Sequence, residues 1–164
     1  MVIDVSSSSL TEILAPFEFL MGGWSGRGHG LWERDPPFGY REELSFASVP
    51  NRALLRFSQI SWDQATGALS HSEAGFIRVF AGGEVELVVA IPAGYTEVHT
   101  GSLTGQLLQF NLVSLGVAPR ALPLAKTRRT LELKDGRLHH TIEIAVDRPD
   151  PVPHVASILD RQPQ

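Results

Sequence analysis

The sequence predicts an all-β protein: a single antiparallel up-and-down β-barrel of about ten strands, with a short helix at each end. Three observations carry that expectation. From Phe17 onward, apolar and polar residues alternate over short runs bounded by Gly, Pro, Asn and Asp, the pattern of strands with one buried face. Helical spacing of apolar residues is confined to the two ends of the chain. The connections are mostly short, and closure leaves so many strands no free edge. A barrel of that strand number is wider than its wall side chains easily fill, so an interior ligand cavity is expected.

The elements follow in order. Residues Met1 to Ser8 read as a flexible leader, and the remainder, 9–164, as one domain. Ser9-Leu10-Thr11-Glu12 fits a capping box, opening a helix that Pro16 ends at about Ala15. Strands are expected near Gly22–Trp32, Tyr40–Ala47, Ala53–Trp62, Leu69–Phe80, Glu84–Ile91, Tyr95–Ser102, Gln106–Ser114, Lys126–Leu133 and Arg137–Val146. Asp135-Gly136 is a tight-hairpin signal, because both positions tolerate positive φ. Ala65-Thr66-Gly67 and Ala81-Gly82-Gly83 mark further turns, and Gly116–Ala125 is the longest strand-poor stretch. After Pro151-Val152-Pro153, the i,i+4 rows Val155/Leu159 and His154/Ile158 predict a short helix or 3₁₀ turn laid against the barrel.

Composition narrows the function. The 164 residues, 43% hydrophobic and 20% charged, suit one globular domain. A formal net charge of −4 gives no electrostatic reason to expect nucleic acid or an anionic membrane as partner. Lys126, Arg128 and Arg129, among threonines, read as the solvated part of a strand. There are no cysteines, so disulfides, thiolate metal sites and a thiol nucleophile are excluded, and a reducing cytoplasm is the expected location. The first residues carry Asp4 and a serine run, unlike a signal peptide or membrane anchor.

The most distinctive segment is Gly22-Gly23-Trp24-Ser25-Gly26-Arg27-Gly28-His29-Gly30. On a strand, Gly22, Trp24, Gly26, Gly28 and Gly30 share a face that is bare except for the tryptophan, open to close approach by a backbone, a helix or a flat ligand. It is no phosphate loop, lacking the Lys-Ser/Thr ending and a βαβ context. The histidines at 29, 71, 99, 139, 140 and 154 show no zinc spacing. His139 and His140 adjoin on one strand and face opposite sides, as do Glu42 and Glu43, which therefore cannot form a glycosidase pair. His154 leaves two readings open: a satisfied histidine at a helix start, or an axial ligand to haem iron.

In sequence order, several segments resemble the nitrobindin family. They are Gly22-x-Trp24-x-Gly26-x-Gly28, Phe38-x-Tyr40-x-Glu42-Glu43, Ser58-Gln59 with Trp62, and His71-x-Glu73-x-Gly75-Phe76-x-Arg78. Val85 to Ala90, Gly94-x-Thr96-Glu97-Val98, Ala125-Lys126, and His154 with Leu159-x-Arg161 continue the series, from about Phe17 to Arg161. The resemblance implies a calycin-like barrel, related to lipocalins and fatty-acid-binding proteins, with one haem b per chain at its open end. His154 would be the proximal iron ligand and the catalytic residue. Lys126 would contact haem near a propionate, and His71 would lie on the distal side. Gly22, Trp24, Gly26 and Gly28 belong with the implied cofactor-binding set. Family members are associated with nitric oxide binding to ferrous haem and with conversion of peroxynitrite to nitrate by ferric haem; homodimers also fit the family. The chain departs from the family pattern at Trp32-Glu33-Arg34, where Tyr-Pro-Thr is common, at Leu124, where Thr is usual, and at Asp147-Arg148-Pro149-Asp150.

Three functions are therefore set against one another: a haem protein handling nitric oxide or peroxynitrite, a lipocalin-like carrier of a small apolar ligand without haem, and a module recruited by partner proteins. Only the first makes specific use of His154. The second needs only the cavity, and the third needs an exposed apolar patch.

Overall fold

Period-two alternation decides the architecture of the chain. The computed structural model describes residues 7–32, 35–146 and 148–163; Arg34, with Glu33, Asp147 and the first six residues, lies outside them. Ser7–Leu14 forms helix α1, so the helix begins two residues before the expected cap at Ser9, and Ser7 and Ser8 belong to it and not to a leader. Pro16 does end the α-helical ladder, but the chain continues as a 3₁₀ turn over Ala15–Leu20.

Ten strands follow: β1 Gly22–Gly30, β2 Phe38–Ser48, β3 Leu54–Asp63, β4 Leu69–Val79, β5 Glu84–Ile91, β6 Tyr95–Thr104, β7 Leu107–Val117, β8 Lys126–Lys134, β9 Arg137–Ala145 and β10 Val152–Arg161. Each pairs antiparallel with the next, and β10 returns to β1 to close the barrel. The hairpin between β8 and β9 turns on Asp135 and Gly136, with φ of 52° and 75°, as their sequence requires.

The expected C-terminal helix is a strand. Among the described residues, 152–161 supply the partner for the free side of β1, running from Trp24 opposite Arg161 to Gly30 opposite Val155. Val155, Ser157 and Leu159 then alternate toward the lumen, and this long-range pairing outweighs the helical spacing of a few apolar residues. No helix among the described residues is long and apolar enough to cross a membrane.

The glycine run is what allows β1 and β10 to close. A Cβ at Gly26 would lie 2.1 Å from the Ile158 carbonyl oxygen, and one at Gly28 would lie 2.4 Å from the Tyr40 ring. One end of the barrel is plugged: Phe17, Leu20 and Trp24 are fully buried, and the Trp24 indole N–H donates to the Leu20 carbonyl at 2.8 Å. Arg161 lies over the Trp24 ring at 4.3 Å and donates to the carbonyls of Met21 and Phe19, fastening the last strand to the plug.

Inside, side chains fall into three levels. The base, nearest the plug, is apolar, with Leu44, Phe46, Leu55, Phe57, Ile77 and Phe110 among its residues. A middle belt is polar, and the level at the open end is largely aromatic and aliphatic.

Candidate functional site

The open end holds a cavity of about 300 Å³. Its walls come from Trp32, Phe38, Tyr40, Ile91, Tyr95, Leu122, Ile142, Ile144 and Val155, with His71 and His154 set among them. Tyr95 fixes the long connection after β7, donating its hydroxyl hydrogen to the Leu122 carbonyl at 2.7 Å. The loop that looks strand-poor in the sequence thus becomes a wall of the cavity.

His154 stands in a bulge. The register of β10 on β9 shifts between Pro153, opposite Glu143, and Val155, opposite Ile142, so His154 is the extra residue. Consecutive residues of a regular strand face opposite sides, but the bulge turns both His154 and Val155 to the cavity. The imidazole Nδ1 is 2.7 Å from the Leu31 carbonyl, which can only accept, so Nδ1 carries the hydrogen. Leu31 donates its own N–H to the His154 carbonyl at 2.8 Å, making the pair reciprocal. Trp32 and Phe38 meet the imidazole edge-on, at ring separations of 5.3 and 6.4 Å. Burial lowers the pKa of His154, the Leu31 carbonyl works against that, and His71 adds to the lowering; the net direction is downward. At neutral pH the ring is therefore neutral, with a lone pair on Nε2. A neutral imidazole whose other nitrogen is held by a carbonyl is the ligand form that iron takes.

Below this level lies a belt of buried ionic groups. Arg129, read from sequence as solvated, is only 4% exposed. Its guanidinium pairs with both oxygens of Glu73 and donates twice to Glu97, at 3.1 and 2.8 Å. The correction has a simple cause: alternation places Arg129 with Thr127, Leu131 and Leu133, facing inward, while Lys126 and Arg128 face out. His99 joins Glu97 at 2.8 Å, and Glu73 reaches up to His71 at 3.5 Å. A second cluster centres on Glu42, which accepts from Gln59 at 2.9 Å, from His140 at 3.1 Å and from the Ser157 hydroxyl. Burial alone would raise all three carboxyls. Arg129 holds Glu73 well below the usual carboxylate range, His140 lowers Glu42, and His99 with Arg129 lowers Glu97.

Of the residues singled out in the sequence, His71 and His154 meet at the cavity. Lys126 begins β8 at the same end but is exposed and points away from the lumen. Gly22, Trp24 and Gly26 are not in the cavity wall: Trp24 belongs to the plug, and Gly26 to the seam with β10. Gly28 acts one step back, making room for the Tyr40 ring that does line the cavity. His140 is buried while its neighbour His139 is partly exposed, and Glu42 is buried while Glu43 is not, as their adjacency requires. The belt itself, Glu73, Glu97, Arg129 and Gln59 above all, was missed as a unit. Its signal was charge on the apolar face of a strand, as in Tyr40-x-Glu42-x-Leu44-x-Phe46.

The profile of the THAP4-like, heme-binding beta-barrel domain family matches residues 13–161. The chain belongs to this family. It is 35% identical over 164 residues to peroxynitrite isomerase 1 of Mycobacterium tuberculosis strain H37Rv, covering 93% of this chain and 99% of that protein. It is 33% identical to peroxynitrite isomerase 2 of Mycobacterium avium strain 104, over 91% of this chain and 94% of the other. The crystal structure of Rv2717c from M. tuberculosis superposes with a TM-score of 0.82 at 33% identity, covering 92% of this chain and 98% of that one. The nitrobindin resemblance and the ten-stranded closed barrel stand together with these findings.

Proposed function

We propose that the chain binds one haem b at its open end through His154 and there isomerises peroxynitrite to nitrate, with nitric oxide as a further ligand. One observation carries the reading most: the Nδ1–H of His154 is held by the Leu31 carbonyl, leaving Nε2 with a free lone pair at an apolar cavity. The residues fit the group. The walls are aromatic and aliphatic, the histidine is neutral, and the bulge at residue 154 turns its ring inward. The curated relatives named as peroxynitrite isomerases support the choice of reaction.

When bound, haem supplies a Lewis-acidic, redox-active iron. The protein's share is orientation and exclusion. Trp32 and Phe38 restrict the His154 ring, and the apolar walls limit the water that shares the cavity. His71 stands on β4 in the cavity lining, with Glu73 beneath it as an acceptor, and is proposed as the polar group of the distal side. Lys126, at the rim on a long flexible stem, is proposed as the partner of a propionate.

Ferric haem titrated into the apo-protein should give a saturable Soret shift at one equivalent, and His154→Ala should lose it. Identical titrations of the two proteins, or no shift in either, would sink the reading. The cavity would then be that of a carrier.

A further inference from the structure

Haem ligation leaves part of the cavity floor unused. Tyr40 and Gln59, 3% and 7% exposed, both line the cavity, and each ends in an atom with no hydrogen-bond partner in the protein: Oη of Tyr40 and Oε1 of Gln59. Ser157, beside Tyr40, gives its hydrogen to Glu42, and Gln59 gives its amide hydrogen to the same carboxylate. Burial and then the nearby Glu42 charge push the Tyr40 hydroxyl well above the usual phenol range, outweighing the smaller opposing influence of Ser157, so it stays protonated. Oε1 of Gln59 can only accept. A ligand group that satisfies both must accept one hydrogen bond and donate another, which is what a hydroxyl does.

Charge sharpens the choice. Glu42, Glu73 and Glu97 are held in their ionised form, and Arg129 is fully engaged by two of them. No free cation among the described floor residues is left to receive an anionic head, so a carboxylate would meet carboxylates. The aromatic walls above, from Phe38, Tyr40 and Tyr95, suit a flat apolar body.

We infer that the cavity floor is a recognition site for a neutral hydroxyl group on a small apolar or aromatic molecule, and that it refuses the corresponding carboxylate. The inference rests on the cavity alone and not on haem.

Calorimetric titration of the apo-protein at pH 7 with 4-propylphenol, propylbenzene and 4-propylbenzoate tests it. The phenol should bind about tenfold tighter than propylbenzene, since one of the two takes up the unpaired donor and acceptor, and the benzoate should be weakest. Tyr40→Phe, which keeps the ring and its packing, should bring the phenol and propylbenzene within about twofold of each other. His154→Ala should leave the order intact, so that failure of the haem reading and failure of this one are separable. Equal binding of phenol and propylbenzene, tightest binding of the benzoate, or a preserved preference in Tyr40→Phe overturns the inference. Absence of binding by all three also overturns it, leaving the floor to water alone.

Discussion

The base and the belt of the lumen are built by the same strands and held by different physics. Along β2 the inward residues run Tyr40, Glu42, Leu44, Phe46, and along β3 they run Ser61, Gln59, Phe57, Leu55, each series passing from the open end to the plug. In the base, stability comes from apolar area removed from water and from close packing, with no preferred partner for any one side chain. In the belt each group is placed by a partner: Arg129 by Glu73 and Glu97, Glu42 by Gln59, His140 and Ser157. The barrel thus separates an end held by unspecific packing from an end whose ionic groups are placed by named partners.

Substitution at Arg129 should break the contrast most severely. Arg129→Leu leaves Glu73 and Glu97 buried without their cation, and should cost about 3–5 kcal/mol in urea unfolding at pH 7. The deficit should shrink on acidification, as the orphaned carboxyls take up protons. Leu44→Ala in the base should cost about 3 kcal/mol by cavity formation. Its deficit should stay level across the same pH series, and a pH-dependent deficit here would erase the proposed division.

Acid alone should act through the belt. Glu42, Glu73 and Glu97 all have folded-state values below the ordinary glutamate value of 4.5. Their contribution is therefore fully present above about pH 4.5 and is lost as pH falls through the lowered folded values. A melting temperature that is flat between neutral pH and about pH 5, then drops steeply, is the expected profile. Tyr40→Phe should have the smallest effect on stability, within about 1 kcal/mol of wild type and in the favourable direction, because it removes a buried hydroxyl that has no partner.

Much of this was legible in the sequence, though unevenly. Period-two alternation placed nine strands to within a few residues, because a half-buried strand must repeat its apolar face. The tenth was read as helix: Val155, Ile158 and Leu159 fit either period over so short a span, and its partner lies at the other end of the chain. Pro153 held the missed clue, since proline inside a strand belongs at an edge or bulge, and here it precedes the bulge that turns His154 inward. His154 was singled out from the residues themselves and His71 through the resemblance, and both line the cavity. Arg129 was not found, because reading it depends on which face of β8 is inside, and its partners lie 32 and 56 residues away.

The bond between His154 and Leu31 spans 123 residues. Contacts of such sequence separation are entropically costly to close and tend to form late in folding. The chain has β1 through β9, His71 included, before it has His154, and it lacks the reciprocal Leu31–His154 pair until β10 docks on β1. The orientation of the His154 imidazole at the cavity is therefore fixed only when β10 docks on β1, so closing the barrel and completing the open end are one event.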